Sequence, residues 1–501
     1  MSDLPLHGYP RDRTGPLPPL PRGAGIVHLV AEYWPFARTG GLAEAVRGLA
    51  EYQAAADQAV TIVLPLHRSV RERGTPLEAI GGPIEFPLGD TYEQARIWRA
   101  TAEETGPTVY FVEHAGYFDR PEIYGEGGDY PDNARRFAFF SRAALEALPH
   151  LVPDVAVIHA HDWHTVFSVI YLRTVFANRP YYDRIGTTVT VHNAAFQGHF
   201  PPTLLADVGL PAGLYDWRLL EWYDRVNVLK GGLALCDIAT TVSPTHAAEL
   251  RTPEGGFGLH GHYLQMGDRL VGVRNGIDDV FWDPMTDAFL TATFGPGDLE
   301  PKDRCKRALQ RTYGLPLRAH TPVVVMSARL VEQKGLDLVL ADDVFLDLDA
   351  QFVFLGRGEP RYEVALRDLA QRAPDRVAVP LMFSERAEHR LLAGADLLLM
   401  PSLFEPCGLT QMRAQRYGAL PVGRRVGGLN DTIVDGVTGF LFDAYSAPAF
   451  HEALGRALTA YADREAWLGL VREAMRLEYG WGPSADIYQR LYRRACRARA
   501  A

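Results

Sequence analysis

Residues 323–335 read Val-Val-Val-Met-Ser-Ala-Arg-Leu-Val-Glu-Gln-Lys-Gly, and this stretch decides the fold. A short apolar run, Val323–Ser327, gives way to a polar loop and then to a helical pattern over Gln333–Leu340. Such a run, with no polar alternation, predicts a strand buried on both faces of a parallel sheet. It is the second start of one pattern. Upstream, the predicted strands are Ile26–Val30, Val60–Leu64, Thr108–Val112, Val155–His159, Thr188–Val191 and Ile238–Val242. Helical patterns lie among them at Leu42–Tyr52, Arg136–Ala147 and Val166–Thr174. Downstream of Val323 follow Phe352–Leu355, Val377–Val379, Leu397–Met400 and Pro421–Gly423, with a helix at Glu388–Ala393. The break near 275–300 carries the turn dipeptides Asn275-Gly276 and Asp283-Pro284.

Two runs of alternating strand and helix predict an α/β chain of two doubly wound domains. The expected divisions are a flexible proline-rich tail at 1–22, a first domain at 23–276, a second at 277–480 and a terminal helix at 481–501. That helix opens with Ser484 as N-cap and sets Ile487, Leu491 and Ala495, with Tyr488 and Tyr492, on one face.

Composition narrows the function. The chain has 501 residues, 47% hydrophobic and 22% charged, with a net charge of −10. That is ordinary for a globular protein and argues against nucleic-acid or anionic-membrane partners. Four scattered cysteines make no zinc or disulfide framework and suit a reducing cytoplasm. No apolar run reaches membrane-spanning length, and the amino terminus lacks a secretory apolar core. Only four of the 51 basic residues are lysine: Lys230, Lys302, Lys306 and Lys334. A lysine kept against that bias is informative.

Ligands of open α/β sheets bind beyond the carboxyl ends of the strands, so the loops there matter most. Arg38-Thr39-Gly40-Gly41 opens a helix, where glycine N–H groups and Arg38 suit an anion. It is not GxGxxG, which disfavours a dinucleotide oxidoreductase. His159-Ala160-His161-Asp162-Trp163-His164 reads as a polar rim, with Asp162 accepting sugar hydroxyls; a metal is the lesser reading because no matching cluster is visible. His192-Asn193 offers side chains to hydroxyls and a backbone carbonyl to a cationic centre. Arg329 and Lys334 can neutralise a diphosphate without a metal. Glu405 lies in the loop after Leu397–Met400. Cys407, Gly408, Leu409 and Thr410 lead into a helix whose first N–H groups suit a phosphate or ribose. Cys407 reads as a packing residue, since no paired base is visible.

The ordered motifs RTGGLAEAVRGL, HAHDWHT, TVHNAAFQG, TTVSPTHAAEL, RNGIDDVFWDP, SARLVEQKGLDLVL, PSLFEPCGLTQMRAQRYGALPVGRRVGGLNDTI and DGVTGFLF resemble those of the bacterial glycogen synthase and plant starch synthase family. The resemblance runs from about Gly25 to Trp481. It implies a GT-B architecture of two Rossmann-like domains facing a cleft, with the last helix returning to the first domain. It implies retaining transfer of glucose from a nucleotide sugar, typically ADP-glucose, to the non-reducing end of an α-1,4-glucan, with no cofactor and no metal. By matching position it assigns Arg329 and Lys334 to the donor diphosphate, and Glu405 and Asp162 to the glucose. His192 and Asn193 would lie under the anomeric carbon, with Gly40 and Gly41 at phosphate. Tyr124 and Asn275 match positions near the sugar and nucleotide, and Gly427 and Gly428, with Thr410, bound the glucose and phosphates.

Three positions depart from the pattern. Arg38 replaces the usual lysine, Glu44 the usual aspartate, and Phe383 the usual tyrosine. They motivate a competing reading, an inactive glucan-binding protein, beside that of a transferase using UDP-glucose or another acceptor. Oligomeric state, effectors and chain-length preference are not legible.

Overall fold

The computed structural model describes residues 20, 24–101, 106–342, 347–382 and 384–500. The expected tail (1–22), Leu20 apart, and Phe383 lie outside the described residues. The chain forms two compact units. One runs to Gly276 and takes up the chain again from Trp481, and the other is Ile277–Gly480.

The first unit is built on nine strands: β1 (Gly25–Leu29), β2 (Val60–Pro65), β3 (Leu77–Leu88), β4 (Thr91–Ala100), β5 (Thr108–Glu113), β6 (Val155–His161), β7 (Gly186–Val191), and two more after a small three-stranded sheet of β8 (His199–Phe200), β9 (Glu221–Trp222) and β10 (Arg225–Asn227). Those two are β11 (Ile238–Thr241) and β12 (Leu270–Gly272), and the large sheet has the order β12-β11-β7-β6-β1-β2-β5-β4-β3. β1 pairs in parallel with both β2 and β6, so the winding reverses at β1/β6. The strands β1, β2 and β7 are wholly buried, their β-branched and apolar residues broken by His28 and by four threonines that are buried with them. The β3–β4 hairpin is antiparallel, runs to the sheet edge and is bulged between Ile80 and Ile84. The sequence reading missed it because two glycines and two prolines interrupt its alternation. Such residues are tolerated at an edge with a bulge.

The terminal helix, Gly482–Ala500, belongs to this unit. Its buried Ala485, Ile487, Tyr488, Leu491, Tyr492 and Ala495 cluster with Ile26, Val157, Ile238 and Val271 of the sheet. The apolar face expected from sequence is the buried one. Ser484 is not the N-cap: the helix starts before it, and its hydroxyl donates to the Arg274 carbonyl at 2.5 Å. Arg499 and Arg173 grip opposite oxygens of buried Asp237 at 2.5 and 2.7 Å.

The second unit holds a wholly parallel sheet: β13 (Val323–Ser327), β14 (Gln351–Leu355), β15 (Val377–Ala378), β16 (Leu397–Met400), β17 (Leu420–Arg424) and β18 (Phe440–Phe442), in the order β15-β14-β13-β16-β17-β18. Its winding reverses at β13/β16. The expected helix Gln333–Leu340 is instead a 3₁₀ turn, Glu332–Lys334, and a short helix, Leu336–Val339. Gly335 parts them with φ +73, a left-handed conformation that stops the first turn. Among the described residues, no helix is long and apolar enough to cross a membrane.

Candidate active site

Both switch points carry the chemistry flagged in the sequence. In the second unit, the loops after β13 and β16 are held together by backbone. Leu403 N–H donates to the Gln333 carbonyl at 2.9 Å, and the Gln333 carboxamide returns to the Phe404 carbonyl at 3.2 Å. A Cβ on Gly335 would lie 2.0 Å from the Pro401 carbonyl oxygen, so this approach requires glycine. It sets Lys334 Nζ 2.7 Å from Glu405 Oε2, which also accepts from Ser402 Oγ at 3.0 Å. Arg329 is exposed just past the end of β13.

The turn at Gly427 and Gly428 packs directly on the Glu405 loop. Gly428 N–H donates to the Glu405 carbonyl at 3.0 Å. Gly427 has φ +42, and a Cβ there would meet the Glu405 carbonyl oxygen at 1.9 Å. Gln411, on the helix Thr410–Arg416, donates to the carbonyls of Cys407 and Gly408 at 3.0 and 2.8 Å. Cys407 is buried, while Gly408, Leu409 and Thr410 are half-buried at the head of that helix.

In the first unit, the switch point gathers a carboxylate that the sequence reading did not flag. Glu32, 3% exposed, accepts from the Thr39 N–H and Oγ1 at 2.5 Å each, from the Gly40 N–H at 3.2 Å and from the Tyr124 hydroxyl at 2.6 Å. The Gly40 N–H assigned to a phosphate is therefore already held by an internal anion. Burial, then Glu32, pushes the Tyr124 hydroxyl well above its ordinary range. Glu32 lies three residues beyond β1, in the place where polar strand-end residues are sought. Gly41 begins the helix Gly41–Ala55.

Asp162 follows β6 in a left-handed conformation, φ +56, and accepts the His192 backbone N–H at 2.6 Å. Burial raises its carboxyl to about 7; donation from the His192 and Asn193 backbones pulls the other way, and Glu32 adds to the rise. The His192 imidazole is lowered to about 3 by burial and is neutral near pH 7. Asn193 Oδ1 accepts from the Ala195 N–H at 3.0 Å, shaping the loop after β7. Asn275 is buried. β6 does continue to His161, so His159 and His161 face one side. With His28 they form a group whose nitrogens lie within 4.8 Å of one another. All six ring nitrogens have protein hydrogen-bond partners.

The comparisons with known proteins agree on one lineage. The family profile described as "Starch synthase catalytic domain" matches residues 25–265, and "Glycosyl transferases group 1" matches 314–468. A glycogen synthase of Syntrophotalea carbinolica is 41% identical over 94% of this chain and 98% of its own. One of Anaeromyxobacter dehalogenans is 43% identical over 93% and 99%. The chain belongs to the glycogen synthase family.

The fold of this glycogen synthase family member is correspondingly GT-B. The catalytic domain of starch synthase IV from Arabidopsis thaliana, bound to ADP and acarbose, superposes with a TM-score of 0.88 at 36% identity, covering 95% of this chain and 100% of that one. Sucrose-phosphate synthase from Thermosynechococcus elongatus, at 18% identity and a TM-score of 0.61 over 95% and 100% of the two chains, shares the fold. The enzyme is a glycosyltransferase.

Two of the three departures turn out to be partners. Arg38 Nη2 lies 2.5 Å from Glu44 Oε1, at 24% and 15% side-chain exposure. The longer glutamate, in the first turn of the helix Gly41–Ala55, reaches the longer cation in the loop ahead of it. A double-mutant cycle on Arg38→Ala and Glu44→Ala is expected to return a coupling of about 0.5–1 kcal/mol in unfolding free energy. Additive losses would show that the pair contributes nothing.

The retained lysines share a chemistry. Lys230 Nζ donates to the Trp217 and Glu221 carbonyls, and Lys302 Nζ to those of Ala393 and Tyr417 at 3.0 and 2.7 Å. Lys306 Nζ meets Asp396 at 2.7 Å and the Tyr461 hydroxyl at 2.8 Å. A compact ammonium donates into converging oxygens where a planar guanidinium does not fit. Three of the four lysines are thus structural, and Lys334 is the one at the switch point.

Proposed function

We propose that this enzyme transfers glucose from ADP-glucose to the non-reducing end of an α-1,4-glucan, with retention and without a metal or cofactor. The observation that carries the reading is the Lys334–Glu405 pair beside exposed Arg329 at the switch point of the second sheet. The ADP and acarbose bound to the starch synthase IV neighbour support the donor and acceptor classes. The second unit then serves the nucleotide diphosphate, and the first the transferred glucose and the acceptor. The four free cysteines fit a reducing cytoplasm.

The chemistry follows from charge. Breaking the anomeric C–O bond leaves positive charge on the sugar and negative charge on the departing diphosphate. Arg329 and Lys334 stabilise the diphosphate, exchanging Lys334's contact with Glu405 for phosphate oxygens. The His192 backbone carbonyl faces the cationic sugar carbon. Asp162, fixed by the His192 N–H, accepts from a sugar hydroxyl, and Glu405 is assigned the same role. The leaving diphosphate oxygen takes the proton of the acceptor hydroxyl as the new C–O bond forms on the same face. Retaining glycosidases instead use two carboxylates about 5 Å apart and a covalent intermediate.

Asp162 supplies a pH signature. Its raised value means that the folded enzyme holds this proton more tightly than the unfolded chain, so its ionisation weakens the fold as pH rises through about 7. The ionised form is the one that accepts from sugar. The expected result is kcat/KM rising with pH through about 7, a limb missing in Asp162→Asn. The same limb persisting in that variant would assign it to another group.

The function itself is tested by glucose incorporation into glycogen from ADP-glucose and from UDP-glucose, each with EDTA. Incorporation favouring ADP-glucose is expected. Transfer from UDP-glucose alone would keep the mechanism and change the donor. No transfer from either, in folded protein that still binds glycogen, would overturn the reading in favour of a binding protein.

A further inference from the structure

The first unit encloses a chain of hydrogen bonds far more extensive than the site's direct contacts require. From the Gln53 carboxamide, at the inner face of the helix Gly41–Ala55, one branch runs through imidazoles. Gln53 Oε1 meets His28 Nε2 at 3.0 Å, His28 Nδ1 meets His161 Nε2 at 3.0 Å, and His161 Nδ1 meets His192 Nε2 at 3.0 Å. The other branch runs through the terminal helix. Gln53 Nε2 donates to the Tyr492 hydroxyl at 3.2 Å, which meets His159 Nδ1 at 2.8 Å. His159 Nε2 meets Thr190 Oγ1 at 2.6 Å, and that hydroxyl meets Thr240 Oγ1 at 2.6 Å. Gln53, His28, His159, His161 and Tyr492 are all essentially inaccessible to water.

Proton counting makes this array directional. A neutral imidazole carries one N–H and one lone pair, so each ring must donate on one side and accept on the other. The rings are neutral, since burial lowers His28 to about 4 and holds His159 and His161 well below their ordinary value. With Gln53 Oε1 toward His28, His28 donates from Nε2, His161 donates from Nε2 to His28, and His192 donates from Nε2 to His161. The Nδ1 of His192 is then left as a lone pair. Turning the amide over reverses every bond and makes that atom a donor. Gln53 is the member whose donor and acceptor are different atoms, so its orientation sets the direction of the imidazole branch, and in this structure its Nε2 donates to Tyr492.

We propose that Gln53, held by Tyr492 of the terminal helix, is a positioning residue that fixes the tautomer of His192 through His28 and His161. The consequence is that His192 presents an acceptor, not a donor, to the sugar hydroxyl beside it. This rests on the reading above that His192 faces the donor sugar. It gives the returning terminal helix a part in the site: Tyr492 and His159 are 333 residues apart in sequence and one hydrogen bond apart in the fold.

The test is ¹⁵N NMR of the full chain labelled at histidine, with His192 assigned from the resonance lost in His192→Gln, together with steady-state kinetics. In the wild type His192 is expected to carry its proton on Nε2. Gln53→Leu is expected to shift that population toward Nδ1–H and to lower kcat about tenfold or more, leaving KM for the donor within about twofold. Gln53→Glu keeps an acceptor toward His28 Nε2 and is expected to retain both the tautomer and most of kcat. An unchanged His192 tautomer in Gln53→Leu would overturn the proposal, as would equal losses in the two variants. Should Gln53→Leu fail to fold, Tyr492→Phe, which frees the amide, is read by the same criterion. The tautomer is measured without turnover. An enzyme inactive on ADP-glucose would therefore refute the functional reading while leaving this result to stand or fall by itself.

Discussion

Lys334→Ala is expected to lower kcat by about 100- to 1,000-fold, the cost of removing one preorganised group that stabilises charge in the transition state. The same substitution strips the cation from Glu405, which is 5% exposed and whose carboxyl then keeps, among the described residues, the Ser402 hydroxyl. A carboxylate left buried without its partner costs about 3 kcal/mol of stability. Loss of activity by itself would therefore be ambiguous. The double variant Lys334→Ala/Glu405→Gln separates the two effects, because a neutral amide does not need the ammonium. Its melting temperature is expected to return toward that of the wild type while kcat stays low. Recovery of kcat together with stability would mean that Lys334 serves only to neutralise Glu405. Lys334→Arg is expected to recover little, since a wider planar fork does not reproduce the single ammonium contact with buried Glu405.

Gly427→Ala is expected to destabilise the second unit by about 3 kcal/mol or more, through left-handed strain and a backbone clash together. A methyl group 1.9 Å from the Glu405 carbonyl oxygen cannot be relieved by a side-chain rotation. The Glu405 loop must move, and Lys334's partner moves with it. Gly40→Ala is the control. Gly40 is extended, with φ −153, and a Cβ there meets nothing within 4 Å. Its melting temperature is expected to stay within about 1 °C, in line with surface substitutions of about 0.5 kcal/mol or less. A large rise in donor KM for Gly40→Ala, with stability unchanged, would then report a ligand close to that backbone. An equally unstable Gly40→Ala would contradict the packing account of the two glycines.

Strand ends were the legible part of this chain. β13 and β16 lie where their apolar runs put them, and the loops after them hold the Lys334–Glu405 pair. Parallel strands buried on both faces advertise themselves, because no polar residue interrupts them. The β3–β4 hairpin was lost for the opposite reason: an edge hairpin keeps a solvated face and tolerates proline and glycine. Local sequence also misled at Ser484, which suits an N-cap by type but donates to a carbonyl 210 positions away.

The site divided along the same line. Residues proposed to face ligand stand in strand-end loops and could be found there. Residues that serve those residues could not. Glu32 meets Tyr124 92 positions away, and His28 meets His161 133 positions away. No spacing rule joins such pairs, and only the sheet order β6-β1-β2-β5 explains them. The Arg38 and Glu44 departures, read one at a time, motivated the reading of an inactive binding protein. In the structure the two side chains form an ion pair with each other, which neither position reveals alone.

The central claim is retaining glucosyl transfer by residues at the two switch points, with no metal required. The most direct test is the anomeric configuration of the first bond formed. Purified enzyme, ADP-glucose and a maltooligosaccharide acceptor are followed by proton NMR in excess EDTA. The account predicts a new α-1,4 anomeric signal growing at the rate of ADP release. A β-linked product, or ADP release that stops when EDTA is added, would contradict it.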